Sequence, residues 1–243
     1  QILLGQVARR IGFDPETWAR EGLVDILAVA NFWAADDYDF DFANWKSRIS
    51  AANPKVIVVP SVGDNISCGS DVVPVSPAAL KGWADNVRAD GAEGLYVFNA
   101  AYLCREALDL VLDEGLAGPE CAKGSRRYIC SFHDCVKTSE QAERQLPRKL
   151  DGGAELTIRV GRPSGNAAAV VLGFDQDCPA PGVQVNGLSA GAGEPLKTLT
   201  PYGKTVKCAW RFGLRPEALR GGRNRLSVSS IPGVSVVWAE IVD

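Results

Sequence analysis

The hydrophobic pattern of the chain changes rhythm near residue 150. Before that point, stretches of helical spacing alternate with short apolar runs of strand length. Asp14-Pro15-Glu16 is a helix start: Asp caps the free amides, Pro sits where no amide is needed, and Glu lies in the positive first turn. This helix runs through Trp18 and stops near Gly22, and Val24 to Ala30 then reads as a buried strand. A polar loop, Ala34 to Asp41, follows with four Asp residues. Phe42, Trp45 and Ile49 at helical spacing predict a helix that ends before Pro54. Val56 to Val59 is continuously apolar and β-branched, as a parallel strand covered on both faces should be. After a loop from Pro60 to Pro74, Ser76 caps a third helix, with Pro77 in its first turn and Leu80, Trp83, Ala84 and Val87 as its apolar stripe. Ala92 to Phe98 reads as a third strand ending at Asn99, and Arg105 to Glu114 as a further helix stopped by Gly115. Strands separated by helices need crossovers and therefore form a parallel sheet. Three such units are fewer than a closed barrel of ~250 residues needs. The expectation is the C-terminal part of a (β/α) barrel of TIM type.

Past Leu150 the pattern becomes that of short strands with Gly, Pro and Asn turns. Leu156 to Val160 alternates, Ala168 to Phe174 is apolar, and Gly182 to Gly187 is a short strand running into a turn. Val206 to Phe212 alternates with Trp210 and Phe212 on one face, and Asn224 to Val228 and Val234 to Ile241 complete the set. One helical turn is predicted at Arg215 to Leu219. This half predicts an antiparallel β-sandwich, jelly-roll-like. The fold class is thus α/β plus all-β: 1–116 as the partial barrel, 117–149 as a Cys-containing linker or wrapping arm, and 150–243 as the sandwich.

Composition changes this picture little. Hydrophobic residues make up 46% and charged residues 23% of 243, and 26 basic against 29 acidic residues leave a net charge of −3. That balance gives no broad attraction for nucleic acid or an anionic membrane. No apolar run reaches the ~20 residues of a membrane-spanning helix. The chain starts at Gln1 and contains no Met, the expectation being a processed product or a fragment. Seven Cys and a sequon, Asn65-Ile66-Ser67, lean towards an extracellular or lumenal protein with disulfides, and the odd count leaves one thiol over.

Two stretches together carry a resemblance: Gly12 to Trp18 with Glu21 to Asp25, and Ala89 to Asn99. They resemble segments around late barrel strands of bacterial glycoside-hydrolase-like (β/α) barrel proteins, of the family 10-like kind. Val185-Asn186-Gly187, Leu214 to Leu219 and Gly222-Arg223-Asn224 resemble the turns and strand starts of β-sandwiches appended to such barrels. The resemblance implies a protein acting on or binding a polysaccharide or glycoconjugate.

In a barrel, function collects at the C-terminal strand ends. Those ends carry Asn31, Phe32, Trp33, Asp36 and Asp37; Pro60, Ser61 and Asp64; and Asn99 with Tyr102. Carboxylates polarise sugar hydroxyls and aromatic rings stack on pyranose faces. Asp36 and Asp64 are therefore the catalytic candidates, and Trp33, Asp37, Asn99 and Tyr102 the substrate-binding ones; the alternative is a solvated acidic loop. Glycoside hydrolysis needs two carboxyl groups roughly 5–9.5 Å apart, and no strand here ends in Glu. A catalytic partner would lie in another chain or segment.

Cys121, Cys130, His133 and Cys135 form the tightest group of metal-ligating types. Their spacing lacks the close Cys pairs of structural zinc sites, so zinc, a disulfide within the arm and unpaired thiols all stand open. A Cys–His nucleophile would need an orienting third group, which nothing supplies. Trp210, Phe212 and Trp238 are either a sugar platform or core between sheets. Gly91 to Gly94 precedes a strand and is no phosphate loop. No cofactor is expected. The alternative to a carbohydrate role is a non-catalytic assembly subunit that keeps a degenerate partial barrel. A half barrel leaves apolar faces that another protein chain or a missing segment must cover.

Overall fold

The computed structural model describes residues 12–30, 38–68, 71–114, 116, 124–130 and 145–243. The N-terminal half follows the predicted alternation. Helix α1 (Pro15–Arg20) is capped by Asp14, whose carboxylate accepts the Thr17 amide at 3.2 Å and the Thr17 hydroxyl at 2.9 Å. Strand β1 (Ile26–Val29) follows, then helix α2 (Phe42–Ala52), capped by Asp41 on the Asn44 amide at 3.1 Å. Strand β2 (Ile57–Val62) pairs in parallel with β1, in the register Ile26↔Ile57 to Val29↔Pro60.

The loop expected at Pro60 to Pro74 instead holds a hairpin of β3 (Asn65–Cys68) and β4 (Asp71–Pro74). Helix α3 (Pro77–Ala89) has its predicted Ser76 cap and buries Leu80, Trp83, Ala84 and Val87. The third parallel strand is shorter than predicted. Only β5 (Tyr96–Val97) pairs with β2, the predicted residues 92–95 staying outside the strand; past it Asn99 turns into the left-handed region at φ 58° and opens a 3-10 turn at Ala100–Tyr102. Helix α4 (Arg105–Asp109) then loosens into a π-helical turn, Leu110–Glu114.

The C-terminal half is antiparallel. Its strands are β6 (Arg127–Cys130), β7 (Arg148–Lys149), β8 (Ala154–Val160), β9 (Ala168–Phe174), β10 (Val183–Val185), β11 (Leu188–Ser189), β12 (Gly193–Pro195), β13 (Cys208–Leu214), β14 (Gly222–Val228) and β15 (Ser235–Val242). A four-stranded sheet runs β11-β10-β14-β8. A six-stranded sheet runs β12-β13-β9-β15-β6, with β7 also on β15. The segment read as a linking arm thus contributes two strands, β6 and β7, to the larger sheet. The helical turn expected at 215–219 is a 3-10 turn at Pro216–Ala218.

The two sheets share one buried core, with Leu156, Ile158, Leu226 and Val228 from the smaller and Leu172, Phe174, Phe212 and Ile241 from the larger. Strands β8 and β14 alternate buried and open positions, as a sheet with one wet face does. In contrast, every residue of β9 is buried, and so are the six central residues of β15. Their second face meets the α/β half: Ile129, Ala209, Val237 and Trp238 belong to the same core as Leu80, Trp83 and Val87 of α3.

The parallel sheet departs from expectation. Among the described residues, one of its faces is left partly open. Ile26 and Ile57, paired across the sheet, are 61% and 49% exposed. The apolar run of β2 is therefore not buried on both sides, and the three-stranded sheet is open, closing no barrel among the described residues.

Candidate functional site

Two regions gather chemistry-bearing side chains. The first is the C-terminal rim of the parallel sheet. Val62 pairs with Val97, and the Phe98 amide donates to the Val62 carbonyl at 2.8 Å. Asp64 and Asn99 each lie two residues past that pair, so the register brings them to neighbouring rim positions. Asp64 is half-buried; its carboxylate accepts the Asn65 side-chain amide at 2.6 Å, and its carbonyl accepts the Val75 amide at 3.0 Å. This fixes it at the mouth of the β3–β4 hairpin. The Tyr102 amide donates to the Asn99 carbonyl at 2.9 Å, and the Tyr102 ring stands 76% exposed.

Sequence reasoning missed two rim residues. Tyr96 and Phe98 alternate with Val97 and so share the open face with Ile26 and Ile57; they are 47% and 49% exposed. Their aromatic character was visible, but the sequence reading looked for function past the strand end at Asn99 and not within the strand. Trp33, Asp36 and Asp37, with Asn31 and Phe32, lie outside the described residues, whereas Pro60 and Ser61 are buried. Among the described residues of this rim Asp64 has no second carboxylate beside it. Among the described residues the rim carries exposed rings, an amide and one carboxylate.

The second region is a buried ionic group where α3 meets the six-stranded sheet. Arg126 is 4% exposed and reaches Asp243 at 2.7 Å and Asp85 of α3 at 3.5 Å. The Tyr128 hydroxyl donates to Asp85 at 2.8 Å. Arg127 and Glu240 pair at 2.7 Å, with the Arg127 guanidinium also over the rings of Tyr202 and Trp238. Burial pushes the Glu240 carboxyl up, while Arg127, Trp238 and Tyr202 oppose that shift. Burial, then Asp85, likewise raises the Tyr128 phenol above its ordinary value. Such groups mark active sites when they line a cleft. Here they are packed between elements, and their geometry is that of a structural weld.

The remaining candidates resolve more simply. Phe212 and Trp238 are core, and the Trp210 indole donates to the Cys178 carbonyl at 3.1 Å, so the three make no sugar platform. Cys130 is buried on β6, while Cys121, His133 and Cys135 lie outside the described residues. No metal-binding group of three acidic, Cys or His side chains occurs among the described residues. Asn65 of the sequon sits on β3 with its amide nitrogen held by Asp64. An open cleft of about 660 Å³ on the four-stranded sheet is lined by Arg148, Arg220, Arg223 and Arg225, but Arg223 faces Asp39 and Arg225 pairs with Glu155. No described helix is long and apolar enough to cross a membrane.

The three C-terminal motifs of the resemblance, Val185-Asn186-Gly187, Leu214 to Leu219 and Gly222-Arg223-Asn224, meet in space. Asn186 and Gly187 both take positive φ, 52° and 83°, as a tight two-residue hairpin turn between β10 and β11 requires. The Asn186 side-chain amide donates to the Ala218 carbonyl at 2.9 Å and to Asn224 Oδ1 at 2.8 Å. Asn224 is fully buried and donates in turn to the Arg220 and Gly222 carbonyls. These three motifs therefore form one hydrogen-bonded structural node.

Comparison with known proteins adds a distant likeness. No protein-family model and no curated protein matches the chain. Among solved structures, a β-porphyranase of glycoside hydrolase family 86 from the human gut bacterium Bacteroides plebeius aligns at 14% identity and TM-score 0.33, over 49% of this chain and 20% of that one. BuGH86 in complex with neoagarooctaose aligns at 13% and 0.32, over 49% and 18%. The chain thus spans about a fifth of the length of these structures.

Proposed function

We propose that this chain is part of a glycoside-hydrolase-like protein that binds or acts on a polysaccharide or glycoconjugate, and that the open rim of its parallel sheet is the ligand face. The observation that carries this reading is the set of exposed rings, Tyr96, Phe98 and Tyr102, around the rim positions of Asp64 and Asn99. Exposed aromatics cost free energy unless something stacks on them, and a pyranose face with a carboxylate and an amide beside it is suited to do so. The α/β half is read as a late portion of a (β/α) barrel and the two antiparallel sheets as an appended sandwich. Within the described residues the rim binds; bond cleavage needs a second carboxylate from 31–37 or from another segment. An extracellular or lumenal site of action suits such a ligand.

Affinity electrophoresis against a panel of neutral and acidic polysaccharides tests this. At least one should retard the protein, and Tyr102→Ala should weaken the retardation about tenfold, the value of one stacked ring. No retardation by any polysaccharide, or retardation unchanged by Tyr102→Ala and Phe98→Ala, rejects the rim as a ligand face.

A second reading has its own observation. Ile26 and Ile57, paired across the parallel sheet, and Tyr96 and Phe98 further along it are exposed apolar side chains on the same side of the sheet. In an assembly subunit, another protein segment would lie there. Light scattering across a concentration series separates the two readings: a monodisperse monomer throughout excludes the assembly role.

A further inference from the structure

The β9–β10 connection, residues 175–182, carries the chain from the six-stranded sheet to the four-stranded one. Cys178 lies within it, and Cys208 opens β13 directly opposite the end of β9, paired with Phe174. Both stand as thiols and both are half-buried, within reach of solvent. The Cys208 thiol donates to the Cys178 carbonyl oxygen at 3.7 Å, which brings the two cysteines side by side. The Trp210 indole donates to the same carbonyl at 3.1 Å, so the crossover is pinned to β13 at Cys178. Close packing holds the next turn too: a Cβ on Gly193 would stand 2.6 Å from Ala180. Cys68 and Cys104 differ, since their thiols contact the backbone carbonyls of Val237 and Val75, not of another cysteine.

We propose that Cys178 and Cys208 form a disulfide that staples the crossover between the two sheets to β13. The oxidant is an external disulfide of the glutathione class. One cysteine thiolate attacks it, forming a mixed disulfide and releasing one glutathione thiolate. The second cysteine thiolate then attacks the protein sulfur of that mixed disulfide, closing the bond and releasing the other. The two protons lost by the cysteines end on two reduced glutathiones, so two electrons pass from protein to oxidant. Burial, followed by the Cys208 thiol beside it, pushes the Cys178 thiol up to about 12, so closure is slow at neutral pH and faster in mild alkali. The bond closes a loop across a sequence separation of 30 residues and so removes much conformational freedom from the unfolded chain.

The test uses the full chain equilibrated with oxidised and reduced glutathione, acid-quenched, alkylated and cut with trypsin without reduction. Cleavage after Lys207 and Arg211 frees the tetrapeptide Cys208-Ala209-Trp210-Arg211. It should be found linked to the peptide ending at Lys197, and reduction should separate the two. The oxidised protein should also melt higher than Cys208→Ser, on the order of 5–10 °C, and reductant should erase that difference. Recovery of the tetrapeptide as alkylated thiol, as a glutathione adduct, or linked to any other cysteine overturns the proposal. This readout does not depend on whether the serine variant folds.

Discussion

Gly82 shows how one missing methyl group sets the position of a helix. In the interior of α3 a glycine costs about 1 kcal/mol relative to alanine. A Cβ at this position, however, would stand 2.2 Å from the Arg127 carbonyl oxygen and 2.7 Å from its carbon, both backbone atoms of β6. The close approach is what lets α3 bury Trp83 and Leu80 against the six-stranded sheet. The clash outweighs the helix gain. Gly82→Ala should destabilise the protein by about 1–3 kcal/mol, read as a lower denaturation midpoint; an unchanged or higher midpoint would mean that helix and sheet part without loss.

The β3–β4 hairpin is held at the scale of an element by one threonine. The Thr205 hydroxyl lies 2.8 Å from the Asp71 carboxylate and 3.1 Å from the Cys68 carbonyl, and the Thr205 amide donates to the same carboxylate. These bonds, the hydroxyl first and the amide second, hold the Asp71 carboxyl below its ordinary value of 3.8. A carboxylate whose folded pKa is depressed stabilises the fold above its unfolded pKa, and this contribution fades as pH falls through the lowered value. Thr205→Val should therefore lower the melting temperature at neutral pH. The gap to the parent should close as the pH is taken below 3.8. A gap that stays constant into acid would assign the loss to packing and not to the Asp71 bonds.

For the whole molecule, the six-stranded sheet is the common wall. One of its faces packs on the four-stranded sheet and the other on α3, and the Arg126–Asp85–Tyr128 group ties helix to sheet. Neither half can unfold without baring β9 and β15. Calorimetry should show one transition. Asp85→Ala leaves Arg126 with Asp243 but strips the Tyr128 hydroxyl of its acceptor, which should cost about 1–3 kcal/mol and move that transition down as a unit. Two resolved transitions, in either protein, would mean that the halves are thermodynamically separate.

Much of this protein was legible in its sequence, because caps, turns and side-chain alternation are local. Asp14 and Ser76 each accept an amide three residues on, as predicted, and Ala168 to Phe174 forms a strand over the predicted residues. Asn186-Gly187 turns because only residues tolerant of positive φ fit there. The candidate rim was half legible: strand ends pointed to Asp64, Asn99 and Tyr102, but not to Tyr96 and Phe98. The tertiary structure alone decided which faces are covered. The apolar runs of β2 and β9 read alike, yet Ile57 is open and β9 is buried on both sides. Periodicity reports what a strand presents, whereas burial depends on what packs against it. Pairings across long stretches of chain were likewise invisible: β6 from the supposed arm onto β15, Arg127 onto Glu240, and Cys178 beside Cys208. They arise only when distant segments are brought together by burying their apolar faces, a free energy that no local pattern records.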